Sequence, residues 1–122
     1  MTKAAAIYQF WSGFGLTAYE ENNVPSDAKY PYITYQFVSD NYTAPVLMTA
    51  SLWYRSESLT EINAKAEEIG AFIDNIPHPK KIDGGRIRIM RGNPWSNPQN
   101  EPSDDLVQRR ILNIVVEYLT AH

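Results

Sequence analysis

The amino-acid sequence predicts one α+β domain, in which a single, mostly antiparallel sheet of four to five strands carries two helices packed on one face. The chain has 122 residues, enough for one hydrophobic core and too few for two. Two segments place apolar residues at helical spacing, and several others alternate apolar and polar residues as strands do. The predicted order is helix, three strands, helix, two strands, so residues 1–122 form a single domain without an internal linker.

The first predicted element is a short helix over residues 3–12. Its apolar residues have the i, i+3, i+4, i+7 spacing of one helical face, and they are Ala4, Ile7, Tyr8 and Trp11. Gly13 and Gly15 follow, and glycine readily takes the left-handed conformation that ends many helices. A first short strand is predicted over residues 16–20, and a loop over residues 22–29.

A β-hairpin is the next predicted unit. Residues 30–39 are rich in aromatic and β-branched side chains, which favours a strand. Ile33, Tyr35 and Phe37 share one face of that strand. The other face is mixed in polarity, as expected of a sheet that is covered on one side only. Residues 40–45 are predicted to be an exposed polar loop that leads into an antiparallel strand over residues 46–55.

The second helix has the clearest pattern in the sequence. Ser58 and Glu61 fit a capping box, in which both side chains satisfy free backbone N–H groups at a helix start. One apolar stripe follows with spacings of three and four residues, and it consists of Leu59, Ile62, Ala66, Ile69, Ile73 and Ile76. Pro77 and Pro79 end the predicted helix, because proline lacks the backbone donor that a helix needs.

The last third of the chain is predicted as strand, loop and strand. Residues 86–91 alternate, which predicts a strand with Ile87 and Ile89 facing inward. Residues 92–105 contain three prolines, three asparagines and three acids, and we expect them to form an exposed polar loop whose tip, residues 94–102, is dispensable for folding. Loops of this length in compact domains are usually functional or disordered. Residues 106–119 alternate and predict the closing strand.

Composition excludes several kinds of chemistry. Cysteine is absent, so disulfides, thiol catalysis and cysteine-bound zinc are excluded. The histidines are His78, between two prolines, and His122, and neither is placed beside an obvious nucleophile. No phosphate-binding glycine motif or metal-ligand spacing occurs. The sequence therefore predicts no enzyme and no cofactor, and its short apolar runs predict no membrane span.

Five basic residues nevertheless concentrate in a short segment, and they are Lys80, Lys81, Arg86, Arg88 and Arg91. One interpretation is a solvated strand surface whose charges discourage edge pairing. The other is an electrostatic contact with a phosphate backbone or with an acidic partner, such as the Asp104 and Asp105 end of a neighbouring copy. The formal net charge of −3 does not favour nucleic acid as the main partner.

Aromatic side chains make up 12% of the chain, and Tyr and Trp are favoured at protein interfaces. Trp95 lies in the predicted polar loop, where it either folds back onto its own domain or anchors a partner. The candidates for partner contact are Tyr42, Trp95, Asp104 and Asp105.

The order of these elements resembles the small neck proteins of tailed bacteriophages, namely tail terminators and the related head-to-tail joining and minor capsid proteins. The segments that carry the resemblance are residues 32–36, the helix over residues 59–76 and residues 109–118. The resemblance covers nearly the whole chain, and it consists in the order of the elements rather than in a specific sequence motif. The resemblance implies a non-enzymatic structural protein that assembles into a homo-oligomeric ring, commonly a hexamer.

Further expectations follow from the resemblance. The partners would be other copies of the chain, the tail tube protein and the head connector proteins, with DNA passing through the ring without sequence-specific binding. The protein would be part of the virion, or of a prophage-encoded particle, after assembly in the bacterial host cytoplasm. Two other classes stay open from the residues alone: a small nucleic-acid-binding module that uses the basic strand, and a small α+β ligand-binding or enzyme domain.

Overall fold

A computed structural model describes residues 1–38, 44–100 and 104–120. The helices are α1 (Lys3–Trp11) and α2 (Thr60–Asp74), and the strands are β1 (Thr17–Glu20), β2 (Tyr32–Tyr35), β3 (Val46–Arg55), β4 (Lys80–Ile82), β5 (Gly85–Asn100) and β6 (Val107–Thr120). The strands form one sheet in the order β1-β2-β3-β6-β5-β4. The α+β class is confirmed.

The sheet is larger and more mixed than the sequence predicts. It has six strands, and β1 pairs with β2 in the parallel direction, whereas the other neighbours are antiparallel. The additional strand is β4, which pairs with the start of β5 across the turn at residues 83–84. Its three residues are too few for a pattern of alternation to be visible in the sequence.

The hydrophobic core lies between the sheet and the two helices. Alternate residues of the two central strands are buried in it: Met48, Ala50, Leu52 and Tyr54 from β3, and Leu112, Ile114, Val116 and Tyr118 from β6. The four central members of the α2 stripe join the same core, whereas Leu59 is 54% exposed. α1 buries Ala6, Ile7 and Trp11, so its inward face is rotated from the predicted one and leaves Tyr8 exposed.

The start of α2 differs from the predicted capping box. The hydroxyl of Ser58 accepts a hydrogen bond of 3.2 Å from the backbone N–H of Thr60, two residues on rather than three. Leu59 occupies the N-cap position and makes no side-chain cap. Ser58 therefore satisfies one backbone donor by a local turn that precedes the helix.

The prediction of an exposed loop over residues 92–105 is wrong for its larger part. β5 continues to Asn100 and pairs with β6, from Ser96 opposite Leu112 to Asn100 opposite Gln108. The pairing is irregular between Arg91 and Ser96, where β5 bulges. A bulge tolerates the glycine, asparagine and proline that an uninterrupted strand disfavours, which explains why this composition resembles a loop.

Asn113 of β6 holds this bulge. Its side-chain amide donates to the carbonyl oxygen of Pro94 at 3.0 Å and to the side-chain oxygen of Asn97 at 3.2 Å. Removal of residues 94–102 would therefore take away paired strand, contrary to the expectation that this tip is dispensable for folding. Residues 101–103 of the predicted loop lie outside the described part of the chain.

The far edge of β5 is only partly covered. β4 pairs with β5 over Gly85–Ile87, and from Arg88 to Asn100 that edge has no neighbouring strand among the described residues. Pro94 and Pro98 lie in this segment, and proline offers no N–H to a further strand. The edge is therefore poorly suited to pairing with another chain.

We expect Gly92→Ala to destabilise the bulge. A Cβ at residue 92 would lie 2.9 Å from the Cβ and 3.0 Å from the carbonyl oxygen of Asn113, so backbone would have to move. The expected loss is about 1–3 kcal/mol in the free energy of unfolding, measured by urea denaturation. Gly13→Ala is the control, because a Cβ there meets nothing within 4 Å, and a similar loss for both variants would contradict this account.

We expect Ile69→Ala to reduce the free energy of unfolding by about 2–5 kcal/mol, because the fully buried Ile69 side chain would leave a cavity in the core. Leu59→Ala removes a similar side chain from the exposed end of the same stripe and should change stability by less than about 0.5 kcal/mol. If thermal or urea denaturation shows that the two variants lose the same amount of stability, α2 is rotated about its axis so that a different face points into the core.

Candidate interaction surface

The face of the sheet opposite the two helices carries a row of aromatic and arginine side chains. Tyr32 of β2, Trp53 of β3 and Arg109 of β6 are side by side in the strand register. The rings of Tyr32 and Trp53 stack with centroids 6.1 Å apart, and the Arg109 guanidinium lies 4.7 Å from the centre of the Trp53 ring. We call these three residues the aromatic row and this side of the sheet the open face.

Two further tyrosines extend the row towards the β1 edge. The ring of Tyr19 lies 5.8 Å from that of Tyr32, and the ring of Tyr30 lies 5.3 Å from it. Aromatic pairs at these separations stabilise the sheet across its strands. The row therefore reaches across four neighbouring strands, from β1 to β6.

Hydrogen bonds to two buried hydroxyl groups hold the row in place. The indole N–H of Trp53 donates to the hydroxyl of Thr34 at 2.8 Å, and the Nε of Arg109 donates to the hydroxyl of Ser51 at 3.0 Å. Thr34 and Ser51 are buried polar residues of β2 and β3. A row fixed in this way loses little side-chain freedom when a partner binds, so more of the contact energy goes into affinity.

Apolar side chains accompany the row on the open face. Leu47 of β3 is 61% exposed, and in the register it lies beside Val115 of β6, which lies beside Met90 of β5. Exposed apolar surface next to aromatic and arginine side chains is typical of protein interaction sites. The open face therefore has the composition of an interface.

The open face is also positively charged, although the chain as a whole is not. Its cations are Arg55, Lys81, Arg86, Arg88 and Arg109, as the alternation of the strands places them. Among the described residues two carboxylates form ion pairs with them: Glu117 pairs with Arg88 at 3.5 Å, and Asp104 pairs with Arg55 at 3.1 Å. In the described part of the chain, cations thus outnumber acids on this side, although the net charge of the whole chain is −3.

The predicted basic segment is divided between the two faces of the sheet. Arg86 and Arg88 share one face of β5, as their alternation predicts, and it belongs to the open face; Lys81 lies beside Arg86 in the register. Lys80 lies on the helix side and donates to Gln9 of α1. Arg91 also turns to that side, where it forms an ion pair of 2.8 Å with Asp74 of α2. The five cations therefore do not make one site.

Trp95 packs against its own domain, the first of the two alternatives for this residue. Its indole N–H donates to the backbone carbonyl of Ala66 at 3.3 Å, and the side chain is partly buried against the core. Gly70 allows this approach, since a Cβ there would lie 3.0 Å from the indole nitrogen. Tyr42, another predicted contact residue, lies outside the described residues.

Asp104 fastens the start of β6 to the end of β3. A hydrogen bond from the backbone N–H of Leu106, together with the side chain of Arg55, holds the pKa of the Asp104 carboxyl below its ordinary value. The side chain is thus engaged within its own chain. The neighbouring Asp105 is exposed and lines a cavity.

That cavity has a volume of about 750 Å³ and opens where β6 begins, with Gln108 and Arg110 on one side and Ile62 of α2 on another. A smaller apolar cavity of about 270 Å³ lies between Phe10 of α1 and Phe72 of α2. Within residues 1–38, 44–100 and 104–120 no group of three or more acidic or histidine side chains could hold a metal ion. Over the same residues no helix is long and apolar enough to cross a membrane.

Comparison with known protein families and with characterised proteins finds no match for this chain. The sequence contains two signals for the open face: the mixed polarity of alternate residues in β2, and the alternation in β5 that puts Arg86 and Arg88 on the side away from Ile87 and Ile89. It gives no sign that Arg109 lies against Trp53, because that contact depends on the pairing of β3 with β6.

We expect Asp104→Asn to make the free energy of unfolding depend less steeply on pH at acidic pH. Because the folded-state pKa of Asp104 is lowered, its contribution to stability is complete above the unfolded value near pH 3.8 and is lost as the pH falls through the lower folded value. Urea unfolding at steps between about pH 2 and pH 7 measures this, since stability tracks the protons bound on unfolding. Asp105→Asn, the same substitution at the exposed neighbour, is the control, and an equal effect of the two variants would contradict the role of the Leu106 and Arg55 contacts.

Proposed function

We propose that this protein is a structural neck component of a tailed bacteriophage or prophage, similar to the tail terminators. Copies of the chain would assemble into a ring that caps the tail tube and joins it to the head connector, with a channel for DNA. The observation that carries the proposal is the open face, a pre-ordered aromatic, arginine and apolar surface on a small rigid sheet. The protein would act by contact rather than by catalysis.

The order of elements supports the proposal. The N-terminal helix, the β2–β3 hairpin, the amphipathic α2 and the long closing strand are the elements on which the resemblance to neck proteins rests. The long polar loop does not support it, because most of that segment belongs to β5. The proposal therefore depends on the remaining elements and on the open face.

The physical character of the open face also supports a contact function. Trp, Tyr and Arg are the residue types that contribute most to binding at protein interfaces. Here they meet in one row, and hydroxyl groups beneath fix their orientation. Such a surface offers a partner both apolar area and charged hydrogen-bond donors, without a large cost in ordering side chains.

A nucleic-acid-binding module is the second candidate function. The observation that favours it is the concentration of cations beside aromatic rings on one face, the combination used by single-strand binding surfaces. Binding to a short DNA strand with a steep salt dependence would support this candidate, because each phosphate contact releases counterions. Unchanged self-assembly in variants that lose such binding would strengthen it further.

We expect the purified protein to form a closed ring with a fixed number of copies, measured by native mass spectrometry across concentration and by electron microscopy of the particles. Leu47→Glu should weaken assembly at least about tenfold, because it puts a carboxylate in the apolar part of the open face. Tyr8→Glu is the control, at an exposed residue of α1. A protein that stays monomeric at every concentration would contradict the ring, and equal loss in both variants would contradict the role of the open face.

A further inference from the structure

The solvent side of α2 is acidic. Glu61, Glu67 and Glu68 are all exposed there, and the cation among them, Lys65, pairs with Glu68 at 3.1 Å and also donates to the carbonyl of Phe14. This side of the helix points away from the sheet, because Ile62 and Ile69 point into the core. We call these three glutamates the acidic helix side.

The acidic helix side and the open face have opposite charges and lie on opposite sides of the domain. Within one chain they cannot meet, because the core and the sheet separate them. Two copies can bring them together. We propose that the open face of one copy docks onto the acidic helix side of a second copy. This inference rests on the proposed assembly of the protein into a ring and names the surfaces that form it.

Apolar side chains match as well as charges. The open face offers Leu47, and α2 carries Phe72, which is 54% exposed and lies one turn after Glu68. A nucleic acid would neutralise the cations but would leave Leu47 without an apolar partner and would not use the acidic helix side. A second copy accounts for both surfaces with one contact.

The geometry of the contact determines what it can build. It joins two different surfaces, so each copy keeps one free surface for the next copy in a head-to-tail arrangement. Contacts of this kind produce a closed ring when the rotation between copies divides a full turn, and an open filament otherwise. A symmetric dimer, in which both copies use the same patch, is not expected.

The test uses two charge-reversal variants of the full chain. The open-face variant carries Lys81→Glu and Arg86→Glu, and the helix variant carries Glu61→Lys and Glu67→Lys. All four positions are exposed, so the fold should be retained, as circular dichroism can verify. Each variant alone should assemble at least about tenfold more weakly than the unmodified protein, because like charges then face each other.

A mixture of the two variants distinguishes the proposed contact from contacts through other surfaces of the protein. The unmodified acidic helix side of the open-face variant meets the unmodified open face of the helix variant, so an equimolar mixture should regain assembly, with equal numbers of the two variants in native mass spectrometry. The two remaining surfaces, an open face made acidic and a helix side made basic, also attract each other, so the mixture can continue to assemble whereas neither variant does so alone. Lys80→Glu is the matched control for the first variant, one residue away on the other side of the sheet, and Glu21→Lys is the control for the second.

The possible failures are distinguishable. If the variants assemble like the unmodified protein, or their mixture stays monomeric while the unmodified protein assembles, the proposed contact is wrong and the ring persists through other surfaces. If the unmodified protein never assembles, both the contact and the proposed function are wrong. If the open-face variant assembles normally but loses binding to a fluorescent 20-nucleotide DNA strand, the open face is a nucleic-acid surface and the contact between copies is overturned.

Discussion

The antiparallel pairing of β3 with β6 is the contact on which the rest of the structure depends. The pairing runs without interruption from Val46 opposite Val116 to Arg55 opposite Val107. Because side chains alternate along a strand, this one register sends Leu52 and Leu112 into the core and brings Trp53 and Arg109 together outside it. A slip by one residue would exchange the two sets. The hydrophobic core and the open face are therefore products of the same constraint, since burial of the apolar set determines which side chains the other face presents.

Sequence patterns succeed here where the elements are long and regular. The limits of β3 and the buried centre of the α2 stripe follow from spacing alone. The second half of β5 is missed because its prolines and asparagines predict a loop, whereas Asn113, from a distant segment, satisfies the bulge and permits pairing. The aromatic row is missed for a related reason. Arg109 and Trp53 lie far apart in the chain, and only the strand register makes them neighbours. Local composition contains no information on such contacts.

Net charge is a poor description of this molecule. The formal net charge of −3 does not reveal that one sheet face is positive and one helix surface is negative. Separation of charge in this way has little effect on folding, because exposed charges contribute weakly to stability, but it strongly affects which surfaces attract each other. It also gives the domain a direction, from the open face to α2. A structural protein requires such polarity if each copy is to bind the next in one orientation.

The edge of β5 that no described strand covers affects how the protein behaves at high local concentration. An exposed strand edge is the usual starting point for indiscriminate cross-chain β-sheet growth, which leads to aggregates and fibrils. From Arg88 to Asn100 this edge includes a bulge and two prolines, Pro94 and Pro98, which interrupt the row of donors that a new strand would need. The prolines and the bulge that make β5 irregular therefore also hinder aggregation through this edge. Many copies can gather at one place without their sheets fusing, and association is left to surfaces that select their partner.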